Sequence, residues 1–255
     1  MVKHSKKFYI VGNWKMLINS IAEAKTLFGA LSRASLKQKK AVVIAAVPAP
    51  FLALLGSGSK KAVYLGAQDV FQEASGSYTG GISANAVESS GAKYVIVGHS
   101  ERRVQGEIDA VIARKAVLVI ESGMTPIVCV GERARDVDGK YLAEIKNQLL
   151  GSIAGIPKEK IDSIIVAYEP VWAIGKAFGG AMEPTLIHEM VIYIKKVLSE
   201  IVGKETAFNI PVLYGGSVDD AAAQAIIGAG DADGLLIGRM SVNKEAITKI
   251  ISYVK

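Results

Sequence analysis

The sequence predicts an α/β protein, and within that class a closed barrel of eight parallel strands with surrounding helices, a (β/α)8 barrel. Two observations carry this prediction. Eight short apolar runs, most of them rich in β-branched residues, recur along the 255-residue chain, and segments with helical spacing of apolar residues separate them. Such runs are typical of strands that are buried on both faces in parallel sheets. Eight strand–helix units in roughly 250 residues is the number that this barrel requires.

The predicted strands follow one another at intervals that leave room for helices. They span residues 8–11, 41–47, 62–67, 94–97, 126–130, 163–167, 212–214 and 234–237. Helices are predicted from about residue 18 to 31 and from residue 243 to 253. Two further helices are predicted from stripes of apolar residues at helical spacing. These stripes are Leu142, Ile145, Leu149 and Ile153, and Leu186, Met190, Ile194, Val197 and Ile201.

A doubly wound open sheet is the alternative fold. Its first strand would lead into a Gly-x-Gly-x-x-Gly loop. The residues from Gly12 to Met16 do not have this pattern, so the barrel is favoured.

No linker, low-complexity tract or charge block interrupts the chain, so residues 1–255 are predicted to form one barrel domain. The composition, 50% hydrophobic and 21% charged, is that of a soluble globular protein. No apolar run reaches the roughly 18 residues of a membrane-spanning helix, and the first residues lack the apolar core of a signal peptide. The single cysteine, Cys129, excludes a disulfide within the chain. We therefore expect a cytoplasmic protein.

The formal net charge of +6 raises nucleic-acid binding as a hypothesis. The lysine clusters are short, at residues 37–40, 60–61 and 195–196, and no aromatic residues interleave them. A solvated basic surface explains them better, and some of this charge would help to attract an anionic substrate. Neither a nucleic-acid partner nor a membrane partner is expected.

Polar residues and glycines follow five of the eight predicted strands. They are Asn13 and Lys15 after the first strand, His99 after the fourth, Glu169 after the sixth, Gly215, Gly216 and Ser217 after the seventh, and Gly238 and Arg239 after the eighth. In a (β/α)8 barrel, the loops that follow the strands carry the residues that act on a substrate. We therefore expect all of these residues to converge on one mouth of the barrel.

The chemistry of these residues is complementary. Glu169 is a candidate general base, and His99 is a donor that polarises a carbonyl group. Lys15 and Asn13 suit a developing oxyanion. The glycine-rich loops after the last two strands present backbone N–H groups that suit a phosphate. Residues 170–180, which follow the candidate base, have the composition of a loop that closes over a site.

Neither nucleotide hydrolysis nor a metal site is expected. The chain lacks a Gly-x-x-x-x-Gly-Lys-Ser/Thr loop, and its three histidines are far apart. A base, a polarising donor, a cation and a phosphate site, without metal or cofactor, indicate proton transfer next to the carbonyl group of a small sugar phosphate.

Four motifs carry a resemblance that covers essentially the whole chain. They are Asn13-Trp14-Lys15-Met16, Gly98 to Arg103, Ala167 to Gly175, and Tyr214-Gly215-Gly216-Ser217-Val218. In order and spacing they resemble the motifs of the triosephosphate isomerase family. The resemblance implies a TIM barrel. It also implies an enzyme of glycolysis and gluconeogenesis that interconverts glyceraldehyde 3-phosphate and dihydroxyacetone phosphate through an enediolate.

The resemblance implies a role for each catalytic candidate. Glu169 would be the base that moves a proton between two carbons, and His99 the uncharged donor that polarises the carbonyl. Lys15 and Asn13 would lie beside the substrate oxygens. Glu101 matches a carboxylate that orients the lysine.

The resemblance also implies residues that bind substrate and a partner subunit. Phosphate contacts are implied at Gly175, Ser217 and Gly238, with Arg239 following them. Tyr214 and Ser217 match residues that hold a closed lid. A homodimer through the loop around Thr79 is implied, and no cofactor.

Three positions depart from the family pattern. The second half of the lid, residues 176–183, is longer than usual, so altered opening is expected. Arg239 stands where the family usually has a second glycine, which would cost about 1–2 kcal/mol if the position needs a left-handed backbone. Gly81 stands where the family often has Glu, and this removes a carboxylate expected to pair with Arg102.

Two other functions are compatible with the same fold. One is a barrel that binds a sugar phosphate without turning it over, and the other is a different sugar-phosphate isomerase. The joint presence of Glu169, His99, Lys15 and Asn13 argues against the first. The match of residues 167–175 argues against the second.

Overall fold

The computed structural model describes residues 7–56, 62–174, 182–230 and 232–254. Eight strands lie within these ranges, each at a predicted position. They are β1 (Phe8–Asn13), β2 (Ala41–Val47), β3 (Tyr64–Ala67), β4 (Ala92–Val97), β5 (Thr125–Val130), β6 (Ile165–Tyr168), β7 (Val212–Tyr214) and β8 (Gly234–Ile237). β1 continues two residues beyond its predicted end, so Asn13 is the last residue of the strand and not part of the following loop.

The described strands close into a barrel in sequence order, and β1 pairs in parallel with both β2 and β8. The other neighbouring strands are parallel as well. The predicted (β/α)8 barrel is therefore confirmed, and the open doubly wound sheet is wrong. Because all strands run in one direction, their C-terminal ends meet at one mouth.

Ten α-helices lie in the described part of the chain, mostly between successive strands. They are α1 (Ile21–Leu36), α2 (Ala49–Gly56), α3 (Ala84–Ser89), α4 (Ser100–Val104), α5 (Asp109–Glu121), α6 (Lys140–Ser152), α7 (Pro184–Val202), α8 (Lys204–Asn209), α9 (Asp220–Ala229) and α10 (Lys244–Ser252). Short 3-10 helices span Lys158–Ser163, Val171–Ala173 and Arg239–Val242. Of these described helices, none has the length and apolar character that crossing a bilayer requires.

The predicted helices are all present, and local signals explain their bounds. α1 begins later than predicted because the Ser20 side chain caps it, accepting a hydrogen bond from the Glu23 N–H at 3.2 Å. The two apolar stripes fall on α6, with Ile153 as its C-cap, and on α7. Pro184 opens α7 at a position where its missing N–H costs nothing. The closing helix α10 packs against α1 and α9.

Strand residues alternate between two cores. The inner core fills the barrel with residues such as Val11, Ile44 and Ile127. The outer core lies between strands and helices and includes the strand residues Ile10 and Val43. Because successive side chains of a strand point to opposite faces, both faces of each strand are buried. This explains why the strands read as continuous apolar runs.

Lys195 contradicts the expectation that the lysine clusters are solvated. Its side chain is 4% exposed, and its Nζ lies 2.9 Å from Asp233 Oδ2. The same group donates to the backbone oxygens of Phe208 and Ile210 at 3.0 and 3.2 Å. A buried charge is tolerated here because it is paired and hydrogen-bonded. Residues 60–61 lie outside the described residues.

Candidate active site

The mouth of the barrel brings together most of the residues that the sequence singles out. Asn13 ends β1, His99 precedes α4, and Glu169 follows β6. Contacts link them into one group with Lys15 and Gly238. Gly175 lies outside the described residues.

Glu169 is buried, with 2% of its surface exposed. One carboxylate oxygen, Oε1, lies 3.1 Å from His99 Nε2, and the other accepts the Ser100 N–H at 2.9 Å. Its backbone N–H donates to Val130 O at 2.8 Å. Oε2 is therefore held by a hydrogen bond, and Oε1 lies beside the imidazole of His99.

Two glycines make room for Glu169. A Cβ built on Gly131 would overlap the Glu169 carbonyl oxygen and lie 2.5 Å from its carbonyl carbon. A Cβ on Gly215 would lie 3.0 Å from Glu169 Cγ. The absence of these side chains allows the backbone and the carboxylate of Glu169 to sit at the end of β6.

The hydrogen bonds of His99 define its tautomer. Nδ1 accepts the N–H of Glu101 at 3.2 Å, so this nitrogen carries no proton. Nε2 then carries the proton and lies 3.1 Å from Glu169 Oε1. His99 is also the N-cap of α4 and is buried. The geometry thus presents a neutral imidazole with its N–H directed at the mouth.

Lys15 has an unusual backbone conformation. Its φ of 48° makes it the one non-glycine residue with positive φ in the described part of the chain. A left-handed conformation costs about 1–2 kcal/mol for such a residue. The Lys15 N–H donates to Asn13 Oδ1 at 3.0 Å, and its carbonyl accepts from Gln68 Nε2 at 3.0 Å. These two side chains hold the strained residue from both sides.

The Lys15 ammonium group donates to Glu101 Oε1 at 2.7 Å. Burial alone would raise the pKa of Glu101, but the hydrogen bond and the charge of Lys15 lower it below its ordinary value. Glu101 is therefore an ionised carboxylate beside the ammonium group. Lys15 also packs against Gly238, where a Cβ would lie 3.3 Å from Lys15 Cε.

Of the candidate phosphate residues, Gly238 contacts Lys15, and Ser217 contacts the segment that follows Glu169. Ser217 Oγ donates to the carbonyl of Ala173 at 2.7 Å. Arg239 begins the 3-10 helix Arg239–Val242 with an exposed side chain and without a positive φ. The left-handed backbone considered for this position is therefore not required, and an arginine causes no such strain.

Two hydroxyl groups contact the segments on either side of residues 175–181, which lie outside the described ranges. Ser217 contacts Ala173 as given above, and Tyr214 OH accepts the Met182 N–H at 3.2 Å. Tyr214 is fully buried, and burial raises the pKa of its hydroxyl. It therefore stays protonated while it accepts this hydrogen bond.

Glu132 is a buried carboxylate, 0% exposed, that the sequence motifs do not include. Its Oε1 accepts hydrogen bonds from Tyr168 OH and Trp172 Nε1, both at 2.8 Å, and from Arg135 Nε at 3.1 Å. Position alone could have suggested it, because Glu132 follows β5 at the same mouth. Gln68, just after β3, could have been found by the same rule.

Cys129 is a buried side chain and not a nucleophile. It is fully enclosed in the inner core. Burial, and next the charge of Glu169, raise the pKa of its thiol well above the ordinary value. The reactive thiolate is therefore not populated.

Comparisons with known proteins place this geometry in a family. The family model described as "Triosephosphate isomerase" matches residues 8–254. The chain is 39% identical over 249 residues to the triosephosphate isomerase of Saccharopolyspora erythraea, with 94% of each chain covered. It is 38% identical over 249 residues to that of Corynebacterium diphtheriae, again with 94% of each covered. It is 36% identical over 258 residues to that of Alkaliphilus oremlandii, which covers 97% of this chain and 100% of the relative. The chain therefore belongs to the triosephosphate isomerase family and is an isomerase built on a TIM barrel.

Proposed function

We propose that this chain interconverts glyceraldehyde 3-phosphate and dihydroxyacetone phosphate by proton transfer through an enediolate. The single observation that supports this mechanism best is the contact between Glu169 Oε1 and His99 Nε2 at 3.1 Å. It sets a carboxylate base beside a neutral imidazole donor, both buried at one mouth. A reaction that removes a proton beside a carbonyl needs this pair of groups.

Glu169 takes the proton from the carbon next to the substrate carbonyl. To do so it turns away from the Ser100 N–H, which donates to Oε2 at 2.9 Å, and from His99 Nε2, which lies 3.1 Å from Oε1. The electron pair of the broken C–H bond forms the carbon–carbon double bond of the enediolate, and the carbonyl pair moves onto its oxygen. That oxygen takes a proton from His99, which takes the hydroxyl proton of the neighbouring oxygen, and Glu169 returns its proton to the former carbonyl carbon. His99 donates from Nε2 to the carbonyl oxygen, where negative charge develops.

Lys15 and Asn13 stabilise the negative charge of the substrate. The Lys15 ammonium is fixed by Glu101 at 2.7 Å, and Asn13 fixes the backbone of Lys15 at 3.0 Å. Because both groups are in place before the substrate binds, little reorganisation is needed in the transition state. This is why a fixed cation accelerates the reaction more than a mobile one.

The phosphate binds beside the last two strands. Ser217 supplies a hydroxyl group, and Gly175, Gly238 and Arg239 supply backbone N–H groups. The exposed Arg239 side chain adds positive charge near this position. The segment that follows Glu169 closes over the bound substrate and keeps water away from the enediolate, which limits loss of phosphate. No cofactor takes part.

Proton exchange with solvent tests this mechanism. When glyceraldehyde 3-phosphate is turned over in D2O, we expect deuterium on the carbon of dihydroxyacetone phosphate that receives the proton. NMR or mass spectrometry of the product measures it. A product without deuterium would indicate a hydride shift and contradict the role of Glu169. Binding of inorganic phosphate without any turnover would instead indicate a barrel that only binds sugar phosphates.

We also propose a homodimer through the loop around Thr79. Large apolar side chains are exposed on the segments that follow β1, β3 and β4, at one end of the barrel. They are Met16 (88% exposed), Leu17 (46%), Tyr78 (47%), Ile82 (40%) and Val104 (74%). Exposed apolar surface of this kind favours contact with another protein.

The contacts of Arg102 bear on this dimer. Gly81 leaves it without the carboxylate that the family often places there, but its Nε lies 3.1 Å from Asp69 Oδ2 of the same chain. Arg102 Nη2 also lies 3.8 Å from Glu107 Oε1. The arginine is therefore neutralised within its own subunit, and the proposed dimer depends mainly on apolar contact.

Thr79→Arg tests the dimer. We expect the wild-type protein to show twice the chain mass of 27.0 kDa by light scattering at micromolar concentration. Thr79→Arg should shift the mass towards the monomer because it places a charge in the apolar contact. Val137→Arg is the control, since Val137 is fully exposed on the loop after β5. A wild-type monomer, or a Thr79→Arg dimer as stable as wild type, would contradict the proposal.

We propose that this protein is a cytoplasmic enzyme of glycolysis and gluconeogenesis. The family assignment and the two triose phosphates support this role.

A further inference from the structure

A buried carboxylate lies behind the segment that carries the candidate base. Glu132 has no exposed surface, and its Oε2 has no hydrogen-bond partner among the described residues. All of its side-chain hydrogen bonds go to Oε1. Such a charge is costly to bury unless a cation lies next to it.

Arg135 is that cation. Its Nε donates to Glu132 Oε1 at 3.1 Å, and its Nη2 donates to Tyr168 OH at 3.2 Å. The guanidinium carbon lies 4.9 Å from the centre of the Tyr141 ring and 5.7 Å from that of Trp172. Its side chain is 22% exposed. Planar stacking and forked hydrogen bonding of this kind require an arginine more than a lysine.

Glu132 contacts the chain on both sides of Glu169. Tyr168, directly before the base, donates its hydroxyl to Oε1 at 2.8 Å. After the base, the Val171 N–H donates to Glu132 O at 3.0 Å, and Trp172 Nε1 donates to Oε1 at 2.8 Å. Glu132 therefore holds Tyr168 and Trp172 through its carboxylate and Val171 through its backbone carbonyl. Arg135 balances the charge of that carboxylate.

We propose that Arg135 is a positioning residue for Glu169, acting through Glu132 and the residues on either side of the base. Arg135 neutralises Glu132 and fixes its orientation, so that Tyr168 and Trp172 stay bound to one oxygen. Without the arginine, the uncompensated carboxylate turns towards water and residues 168–172 shift with it. This inference depends on the proposed role of Glu169 as the base.

Two single variants measure the effect of Arg135 on kcat and KM. Arg135→Met removes the charge and the hydrogen bonds but keeps most of the length of the side chain. We expect kcat to fall about 10- to 100-fold, because a displacement of roughly 1 Å costs up to about 10²-fold. KM should change less than about 3-fold, since the substrate contacts are not altered. Arg135→Lys keeps the charge without the planar fork and should give an intermediate kcat.

A double variant separates positioning from stability. In Arg135→Met combined with Glu132→Gln, the neutral amide oxygen still accepts from Tyr168 and Trp172 but needs no cation. We expect kcat to recover to within about 5-fold of the Glu132→Gln single variant. If Arg135 contributed only to stability, the double variant would have a lower kcat than either single variant.

Arg133→Met is the matched control, because it removes one positive charge from an exposed neighbour on the same loop. It should keep the wild-type kcat. The fluorescence of Trp172, assigned with Trp172→Phe, should change in Arg135→Met and not in Arg133→Met.

The outcomes distinguish the inference from the proposed function. If Glu169→Gln abolishes turnover but Arg135→Met keeps the wild-type kcat, Arg135 has no positioning role. An equal fall of kcat in Arg135→Met and in the double variant would also overturn it. If Glu169→Gln itself keeps full activity, the proposed mechanism fails first.

Discussion

Glu169→Gln is expected to lower kcat by about 10²–10⁴-fold, the range that a positioned general base contributes. The amide has nearly the shape of the carboxylate, and its oxygen can keep the Ser100 N–H bond that Oε2 accepts at 2.9 Å. Its NH2 group then faces the His99 Nε2–H and has no basic lone pair for a substrate proton. The loss should therefore appear in kcat, while the fold is retained.

Steady-state kinetics and inhibition by inorganic phosphate measure this effect. The inhibition constant for phosphate should stay within about 3-fold of wild type, because the groups that bind phosphate do not include the base. Glu189→Gln, an exposed carboxylate on α7, is the control and should keep full activity. A Glu169→Gln variant with wild-type kcat would show that another group removes the proton.

Gly131→Ala is expected to lower kcat/KM about 10²-fold without changing any polar group of the site. The added Cβ would overlap the Glu169 carbonyl oxygen and lie 2.5 Å from the carbonyl carbon. Because the atoms in the way are backbone, the end of β6 must shift, and a shift of roughly 1 Å at the base is enough for this loss. Overpacking of this kind should also lower the free energy of unfolding by about 1–3 kcal/mol.

Gly228→Ala is a matched control for this substitution. Gly228 lies in α9, and a Cβ there would meet nothing within 4 Å. This variant should keep wild-type kcat/KM and gain about 0.5–1 kcal/mol of stability, since alanine favours a helix over glycine. Kinetics together with thermal unfolding of both variants measure the difference. If Gly131→Ala keeps the wild-type kcat/KM, the position of Glu169 does not depend on this contact.

The barrel could be predicted because its strands are buried on both faces. Ile10 belongs to the outer core and Val11 to the inner core, so both of these successive residues are apolar. Each strand therefore appears in the sequence as a continuous apolar run. Placing Glu169 and His99 at one mouth followed from the same prediction, since parallel strands end on the same side. Their 3.1 Å contact did not follow, because it depends on side-chain rotamers.

Contacts between residues far apart in the sequence were not predictable, even where the position of one partner after a strand could suggest it. Gln68 reaches Lys15 from 53 residues away, and no local pattern shows that contact. The salt bridge of Lys195 with Asp233 likewise crosses from α7 to the beginning of β8, although its helical position resembles that of a surface lysine. The backbone angle at Arg239 was undecided in the sequence, because only coordinates define φ.

The left-handed backbone of Lys15 lowers the stability of the protein, whereas its side chain serves the reaction. Selection for stability and selection for activity therefore favour different residues at this position. Glycine adopts a φ of 48° without steric cost, so a screen for thermal stability alone would favour losing the lysine side chain. The resulting protein would resist heat better and would lack the cation at its mouth. Directed evolution of this barrel therefore needs an activity threshold in every round, because the most readily stabilised variants include inactive ones.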